Sequence, residues 1–137
     1  MIQLYLTKDN LIGPISSQIG NLSHLQSLYI NSINLKISSL EWLSHIVSIE
    51  QLDLSYMNLS VTNDWQRVVS LLPKLSELRL HNCSLPFITP SSLSHINSSK
   101  SLTDLDLSFN PPITSLIFPW LFNSCTNLTS LIPLLIN

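Results

Sequence analysis

The sequence predicts an α/β solenoid of about six repeats, a horseshoe-shaped arc with a short parallel sheet on its concave side. Two observations predict this fold. One pattern, L-x-x-L-x-L followed by three further residues, recurs along the chain and is called a frame below. Its residues are numbered as positions 1 to 9, and position 9 is called the position-9 slot. The frames start at Met1, Leu25, Ile49, Leu75, Leu102 and Leu128. Successive starts are 24, 24, 26, 27 and 26 residues apart, and a fixed period of this size is typical of stacked repeats.

Each frame is predicted to form one short strand. Apolar residues at positions 4 and 6 point to the same side of a strand, as in the copy L-T-D-L-D-L-S-F-N over 102–110. A single strand of this kind cannot bury its apolar face, whereas stacked copies can do so by pairing in parallel. We therefore expect positions 2, 3, 5, 7 and 8 to face outward on the concave sheet.

Position 9 lies where the chain turns inward and its backbone groups lose their partners in the sheet. An Asn side chain both donates and accepts, so Asn110 is expected to satisfy the backbone of the neighbouring turn. Cys83 is small and buries readily, which predicts a structural thiol rather than a reactive one. Three other frames carry neither Asn nor Cys at position 9. The residue there is Asp9 in the first frame, Ile33 in the second and Met57 in the third, and in the second frame Asn34 follows one position later.

The segments between frames are predicted to form the convex side from loops, 3-10 turns and short helices. Residues 11–25 indicate a loop followed by a loosely helical stretch, and apolar residues at every third place in 40–49 predict a tight helical turn. Residues 62–73 predict a short helix capped by Asp64 or Thr62. Three tryptophans of these segments are expected to pack in the core or on the convex side: Trp42, Trp65 and Trp120.

Composition excludes several functional classes. The chain has 137 residues, 45% hydrophobic and 10% charged, and no linker divides it, so residues 1–137 are expected to form one domain. A formal net charge of −2 offers nothing to a nucleic-acid backbone. Two glycines are too few for the glycine-rich loops that cradle phosphates, and no cofactor is expected. The longest apolar run, 131–136, is far short of the ~20 residues of a membrane span.

Neither a catalytic site nor a metal site is expected. Asp53 and Asp106 fall two frames apart with Arg79 between them, and a cation there favours both ionised carboxylates, which opposes general-acid chemistry. The histidines are too far apart in the repeats to share a metal ion. They are His24, His45, His81 and His95.

Cysteines and sequons bear on the cellular compartment. Cys83 and Cys125 differ in repeat phase, so no disulfide between them is expected and they do not report the redox environment. Chance alone yields several N-x-[ST] sequons in a chain rich in Ser and Asn, but with the low charge they favour a secreted, glycosylated surface. The five acceptors are Asn21, Asn58, Asn82, Asn97 and Asn127.

The frames resemble leucine-rich repeats. The stretch L-I-G-P-I-S-S-Q-I-G-N-L over 11–22 is similar to the plant extracellular subtype, with Ser16 where that subtype usually has Pro. The phrases over 37–46, 52–60 and 64–73 resemble the ectodomain of plant receptor-like proteins of the disease-resistance and elicitor-receptor group. The resemblance implies a non-enzymatic module at the extracellular side of the plasma membrane. Such a module binds a protein or peptide ligand, or a co-receptor, in defence or developmental signalling.

Several parts of such receptors are not visible in the chain. It shows no signal peptide, no paired-cysteine cap at either end and no membrane anchor, so we expect a fragment lacking both caps. The alternative is a structural or intracellular leucine-rich-repeat scaffold, or a truncated, non-functional receptor fragment.

A row of outward-facing side chains along the frames is the candidate ligand-binding surface. Aromatic residues and Arg usually dominate the binding energy of interfaces. The candidates are Tyr5, Tyr29, Asp53, Tyr56, Arg79, His81, Asp106 and Phe109. The alternative is that the row only stabilises the sheet, through a charge ladder of Asp53, Arg79 and Asp106 and a stack of Tyr5 on Tyr29. A glycan on Asn82 would crowd this surface.

Overall fold

Six short strands, one from each frame, pair side by side in one parallel sheet of the computed structural model. The structure describes residues 2–7, 11–86, 101–111, 113, 117, 119, 121 and 125–132. Two further strands, β2 and β4, form a separate small sheet. The strands are, in chain order, β1 (Gln3–Leu6), β2 (Gly13–Pro14), β3 (Ser27–Ile30), β4 (Leu35–Lys36), β5 (Gln51–Asp53), β6 (Glu77–Arg79), β7 (Asp104–Asp106) and β8 (Ser130–Ile132).

The large sheet follows the frames without a shift in register. Its order is β1-β3-β5-β6-β7-β8, and each pairing is parallel. At every junction the carbonyl at position 2 accepts N–H groups from positions 2 and 3 of the next frame, at 2.8–3.2 Å. The position-4 leucines are Cα partners throughout: Leu4, Leu28, Leu52, Leu78, Leu105 and Leu131. The prediction of adjacent parallel strands is therefore confirmed.

The core lies beneath the sheet because positions 4 and 6 point to the same side of every strand. In the four central frames these residues are at most 2% exposed: Leu28, Ile30, Leu52, Leu54, Leu78, Leu80, Leu105 and Leu107. Leu4 and Leu6 of β1 are only partly buried, since among the described strands β1 has a neighbour on one side only. Burial of a Leu or Ile side chain contributes roughly 1.5–3 kcal/mol, so this repeated pair is the main stabilising element.

Asn110 fills the position-9 slot as predicted. Its Oδ1 accepts hydrogen bonds from the backbone N–H groups of Cys83 and Leu85 at 3.0 and 3.1 Å. Its Nδ2 donates to the carbonyl of Leu80 at 2.7 Å and to that of Leu107 at 2.9 Å. The side chain is buried, and it supplies the preceding turn with the partners that the sheet no longer provides.

The slot is satisfied less completely one and two frames earlier. The Cys83 thiol donates to the carbonyl of Leu54 at 3.0 Å. Leu54 holds position 6 of its frame, as does Leu80, the residue whose carbonyl accepts from Asn110. A thiol is a weak donor, so this contact replaces only part of the amide's function. Met57 has no donor at all, and its Sδ accepts from the N–H of Ser32 at 3.5 Å.

The second frame departs from the pattern in a way that the sequence did not reveal. Ile33, which holds position 9, is 81% exposed, and the preceding Ser32 is buried instead. The Ser32 hydroxyl donates to the carbonyl of Leu11 at 3.4 Å, so a short polar side chain makes the link to the first repeat. Asp9, the first copy of the slot, lies outside the described residues.

The return segments form short helices, as predicted. The first two return segments contain the 3-10 helices Ser17–Asn21 and Glu41–His45, and the third contains α1, an α-helix over Trp65–Ser70. Trp42 and Trp65 are buried, which confirms their predicted packing role, whereas Trp120 lies outside the residues whose side chains are described.

The side-chain cap predicted for α1 is wrong. Asp64 occupies the N-cap position but makes no side-chain hydrogen bond to the helix backbone. Its Oδ2 instead accepts from Arg67 at 3.1 Å, and the hydroxyl of Thr62 donates to the carbonyl of Leu59 at 2.7 Å. Both side chains therefore have partners that compete with capping.

Glycine permits one close approach and one turn. A Cβ on Gly20 would lie 2.9 Å from the carbonyl oxygen of Trp42, so the first two return helices can touch only if residue 20 lacks a side chain. Gly13 has a φ of 93°, a conformation that few other residues adopt, and begins the unpredicted strand β2. Strand β2 pairs in parallel with β4, with Gly13 opposite Leu35.

Candidate recognition surface

The face of the large sheet opposite the core carries the side chains at positions 3 and 5, and is called the polar face below. At position 5, Tyr5 and Arg79 are exposed, and Tyr29 and Asp53 are half-buried. Asp106 also lies on the outward side of its strand, but neighbouring side chains cover it and it is only 8% exposed. The polar face nevertheless brings these five residues, from adjacent strands, into one row.

The predicted stack of Tyr5 on Tyr29 is confirmed. The two rings are 4.6 Å apart between centroids and inclined by 4°. The Tyr29 hydroxyl donates to Oε1 of Gln51 at 3.3 Å. Partial burial, followed by the neighbouring Tyr5 hydroxyl, raises the pKa of Tyr29 above its usual value, which keeps this hydroxyl a donor.

The predicted charge ladder is not formed. Arg79 is the Cα partner of both Asp53 and Asp106, as predicted, yet it makes no ion pair with either within the described residues. Each carboxylate instead accepts the N–H two residues further along its own chain, from Ser55 and Ser108, both at 2.9 Å. Such local turns compete successfully with cross-strand pairing because they cost little side-chain entropy. Arg79 therefore keeps its guanidinium available on the polar face.

Three rings meet just beyond the carboxyl ends of β5, β6 and β7. The ring of His81 meets that of Tyr56 at 5.3 Å and 62°, and that of Phe109 at 4.9 Å and 64°. Tyr56 and Phe109 are each 49% exposed. These three residues, called the aromatic cluster below, were predicted only as separate members of the row. Their contact depends on turn geometry that the frame pattern does not encode.

A short hydrogen-bond chain orients His81 within the aromatic cluster. The Ser108 hydroxyl donates to Oδ1 of Asp106 at 2.6 Å and lies 2.6 Å from Nδ1 of His81. Because the Ser108 proton is directed to the carboxylate, we assign the His81 tautomer in which Nδ1 donates to the Ser108 oxygen. This packing also explains the burial of Asp106, which lies 3.9 Å from the ring that covers it. The order Asp–Ser–His is not that of a serine nucleophile activated by histidine, because here the serine proton points to the aspartate.

Four of the five sequon asparagines are exposed. They are Asn21, Asn58, Asn82 and Asn127. Asn97 lies outside the described residues. Asn82 directly follows His81 and has a φ of 52°, which Asn tolerates better than most residues. A glycan at this position would stand beside the aromatic cluster.

Both cysteines are buried, and no disulfide joins them. Burial raises the pKa of the Cys83 thiol to about 12, so it stays protonated and is a poor nucleophile. The structural role predicted for Cys83 agrees with its burial and with its hydrogen bond to the carbonyl of Leu54. Within the described ranges no three His, Cys, Asp or Glu side chains are grouped so as to hold a metal ion.

A groove of about 520 Å³ runs between β4 and the third frame and reaches Tyr56 of the predicted row. Its lining includes the exposed side chains of Ile33, Tyr56 and Val61, together with the sequon residue Asn58. The sequence did not predict this groove, because it depends on the outward position of Ile33.

The chain is similar to two plant proteins. It is 40% identical over 129 residues to receptor-like protein EIX1 of Solanum lycopersicum, covering 93% of this chain and 12% of that protein. It is 42% identical over 69 residues to receptor-like protein EIX2 of the same species, covering 50% of this chain and 7% of that protein. No protein-family model matches the chain. Most of the chain is thus homologous to plant receptor-like proteins, of whose length it spans a small part.

The helices whose bounds are given above have five or six residues each. None of them combines the length and the apolar character that crossing a bilayer requires.

Proposed function

We propose that the chain is a solenoid of leucine-rich repeats from the ectodomain of a plant receptor-like protein, with the polar face on its concave side. Homology to receptor-like protein EIX1 over 93% of the chain supports the assignment. The six frames, paired in parallel and in register, support the solenoid. In the full-length protein this segment lies on the extracellular side of the plasma membrane.

In this proposal the polar face, together with the aromatic cluster at its edge, recognises a protein or peptide ligand, or a co-receptor, in defence or developmental signalling, and carries out no catalysis. The observation that carries it is the display of large aromatic side chains at this surface. Tyr5, Tyr56 and Phe109 are 49–55% exposed, whereas the apolar side chains on the other side of the central strands are buried. Exposed aromatic residues together with an unpaired arginine are the side chains that dominate interfaces. The contact residues are Tyr5, Tyr29, Asp53, Tyr56, Arg79, His81 and Phe109, with Asp106 beneath them.

A peptide display experiment tests the location of the surface. Peptides selected from a random phage library against the chain should lose binding to Tyr29→Ala and to Arg79→Ala. They should retain binding to the control Glu41→Ala, whose exposed side chain lies on the helical side. Removal of one such anchor typically costs more than about 1 kcal/mol, or at least about fivefold in affinity. Selected peptides that bind all three variants as well as the parent would refute the proposal.

Glycosylation separates the extracellular assignment from the intracellular scaffold. The exposed acceptors Asn21, Asn58, Asn82 and Asn127 support the extracellular alternative. Expression through a plant secretory pathway should add glycans to some of these, measured by mass spectrometry before and after enzymatic release. A secreted chain with every sequon unmodified would favour the scaffold.

A further inference from the structure

The aromatic cluster is held in a backbone conformation that bulky residues rarely adopt. Tyr56 has a φ of 68° and Phe109 a φ of 57°, both in the left-handed region. Most L-residues avoid this region, and for bulky side chains it is a true outlier. The turns after β5 and β7 thus place both rings on either side of His81.

His81 presents a hydrogen-bond acceptor between those rings. Nδ1 donates to Ser108 in the tautomer assigned above, and in a neutral imidazole the other nitrogen then has no proton. That nitrogen, Nε2, has no hydrogen-bond partner in the part of the chain that the structure describes. The site between Tyr56 and Phe109 therefore favours a donor group from a partner.

The strands next to the aromatic cluster are acidic. Strands β5, β6 and β7 contain four carboxylates and one cation, and no charged residue is found in β1, β3 or β8. The carboxylates belong to Asp53, Glu77, Asp104 and Asp106, and the cation to Arg79. Their side chains alternate with the buried leucines and so belong to the polar face. The charge is thus concentrated on the three strands that precede the cluster, and β1, which carries Tyr5, lies two strands away from the nearest of them.

We propose that the aromatic cluster anchors a basic side chain, Arg or Lys, of the polypeptide partner. The proposal rests on the recognition function above and specifies the chemistry of its partner. A guanidinium or ammonium group would lie over the exposed rings of Tyr56 and Phe109 and donate to Nε2 of His81. Ring faces, an acceptor and nearby carboxylates all favour a cation at this place and disfavour an anion. A second copy of this chain is a poor occupant, since it has only six Lys and Arg residues in all.

Three peptide pools test the anchor. Each pool consists of short fluorescein-labelled peptides with random flanks around one fixed central residue: arginine, citrulline, which is nearly isosteric but neutral, or glutamate. Binding to the purified, unglycosylated chain is followed by fluorescence anisotropy. The arginine pool should bind about two- to fivefold more tightly than the citrulline pool, as expected for a cation over exposed rings. The glutamate pool should bind most weakly.

Variants assign the preference to the aromatic cluster. In Tyr56→Leu and Phe109→Leu the ratio of arginine-pool to citrulline-pool affinity should fall towards one. In the control Val47→Ala the ratio should be unchanged, because the exposed Val47 side chain follows the helix Glu41–His45 and belongs to neither the polar face nor the aromatic cluster. Since both pools are measured on the same sample, a loss of folded protein cancels from the ratio.

The outcomes separate this inference from the proposed function. Equal affinity for the three pools, or a ratio that both leucine variants leave unchanged, would overturn the basic anchor. If the pools still bind and Tyr29→Ala abolishes that binding, the recognition surface stands without the anchor. If no pool binds at any concentration at which the chain is soluble, both proposals are overturned.

Discussion

The side chain of Asn110 is expected to be the largest single polar contribution to stability in the described sheet, and Asn110→Leu tests this. Leucine has the same branching pattern and number of side-chain heavy atoms as asparagine, so the change removes the hydrogen bonds without leaving a cavity, although its methyl groups are bulkier. In the folded protein the N–H groups of Cys83 and Leu85 and the carbonyl of Leu80 bind the amide at 2.7–3.1 Å. Asn110 is 3% exposed, so water does not take its place.

The expected loss follows from these three backbone groups. A buried donor or acceptor left without a partner costs ~1–3 kcal/mol. With partial rearrangement of the turn, we expect the free energy of unfolding to fall by about 4 kcal/mol. Because single domains are usually stable by only ~5–15 kcal/mol, the variant should be close to unfolding at room temperature.

Urea unfolding measures the loss, with the fluorescence of the buried Trp65 as the signal. The matched control is Cys83→Ala, which empties the equivalent slot one frame earlier. It removes one weak thiol bond to Leu54 and should cost only about 1 kcal/mol. Amide hydrogen exchange should also accelerate at Cys83 and Leu85 in Asn110→Leu.

A destabilisation below about 1 kcal/mol, less than one orphaned group should cost, would refute this reasoning. Equal losses in Asn110→Leu and Cys83→Ala would also refute it, since the two slots would then contribute through packing alone.

Three further predictions concern packing, stacking and titration. Gly20→Ala should destabilise the chain by about 1–3 kcal/mol in urea unfolding, because its Cβ would lie 2.9 Å from the Trp42 carbonyl. A double-mutant cycle with Tyr5→Leu and Tyr29→Leu should give a coupling energy of about 0.5–1.5 kcal/mol. Burial raises the pKa of Cys83 to about 12, so the folded state retains a proton that the unfolded chain releases near pH ~8.5. Stability should therefore be unaffected below that pH and fall as the pH rises towards 12.

Each of these predictions has a contrary outcome. Gly13→Ala meets no atom within 4 Å, so any cost there comes from φ alone, and a larger loss than at Gly20 would contradict the contact argument. Additive effects of the two tyrosine substitutions would show that the stack has no energy of its own. For titration, the difference in stability between the chain and Cys83→Ala should shrink above pH ~8.5, and a constant difference would exclude thiol linkage.

The strands were predictable because their signal is local and repeated. Positions 4 and 6 of each frame must be apolar to bury one face, and leucines such as Leu52 and Leu78 are correspondingly buried. Asn110 was predictable for a related reason, since a buried turn requires a side chain that both donates and accepts. Requirements of this kind restrict the residue types at fixed positions of the frame, so the sequence alone shows them.

The candidate surface was less predictable because it depends on competition between partners. Frame spacing placed Asp53, Arg79 and Asp106 on neighbouring strands, but not the local turns that take up both carboxylates. The contact of Tyr56 with His81 likewise depends on a left-handed backbone conformation at Tyr56, a position without the glycine that would usually indicate it in the sequence. The small second sheet depends on two pairs of residues, which is too short for any periodic signal.

The unequal filling of the position-9 slot has a consequence for how the chain opens. The position-9 side chain links its frame to the preceding one by hydrogen bonds. Asn110 both donates and accepts, Cys83 has only a weak thiol donor, and the Met57 side chain has no donor. In repeat proteins each unit is held chiefly by its nearest neighbours, so local opening begins where such ties are weakest. Thermal unfolding should therefore begin in the early frames and proceed towards Asn110. A partner bound across several frames would oppose this opening, so amide hydrogen exchange should also slow in frames that the partner does not contact.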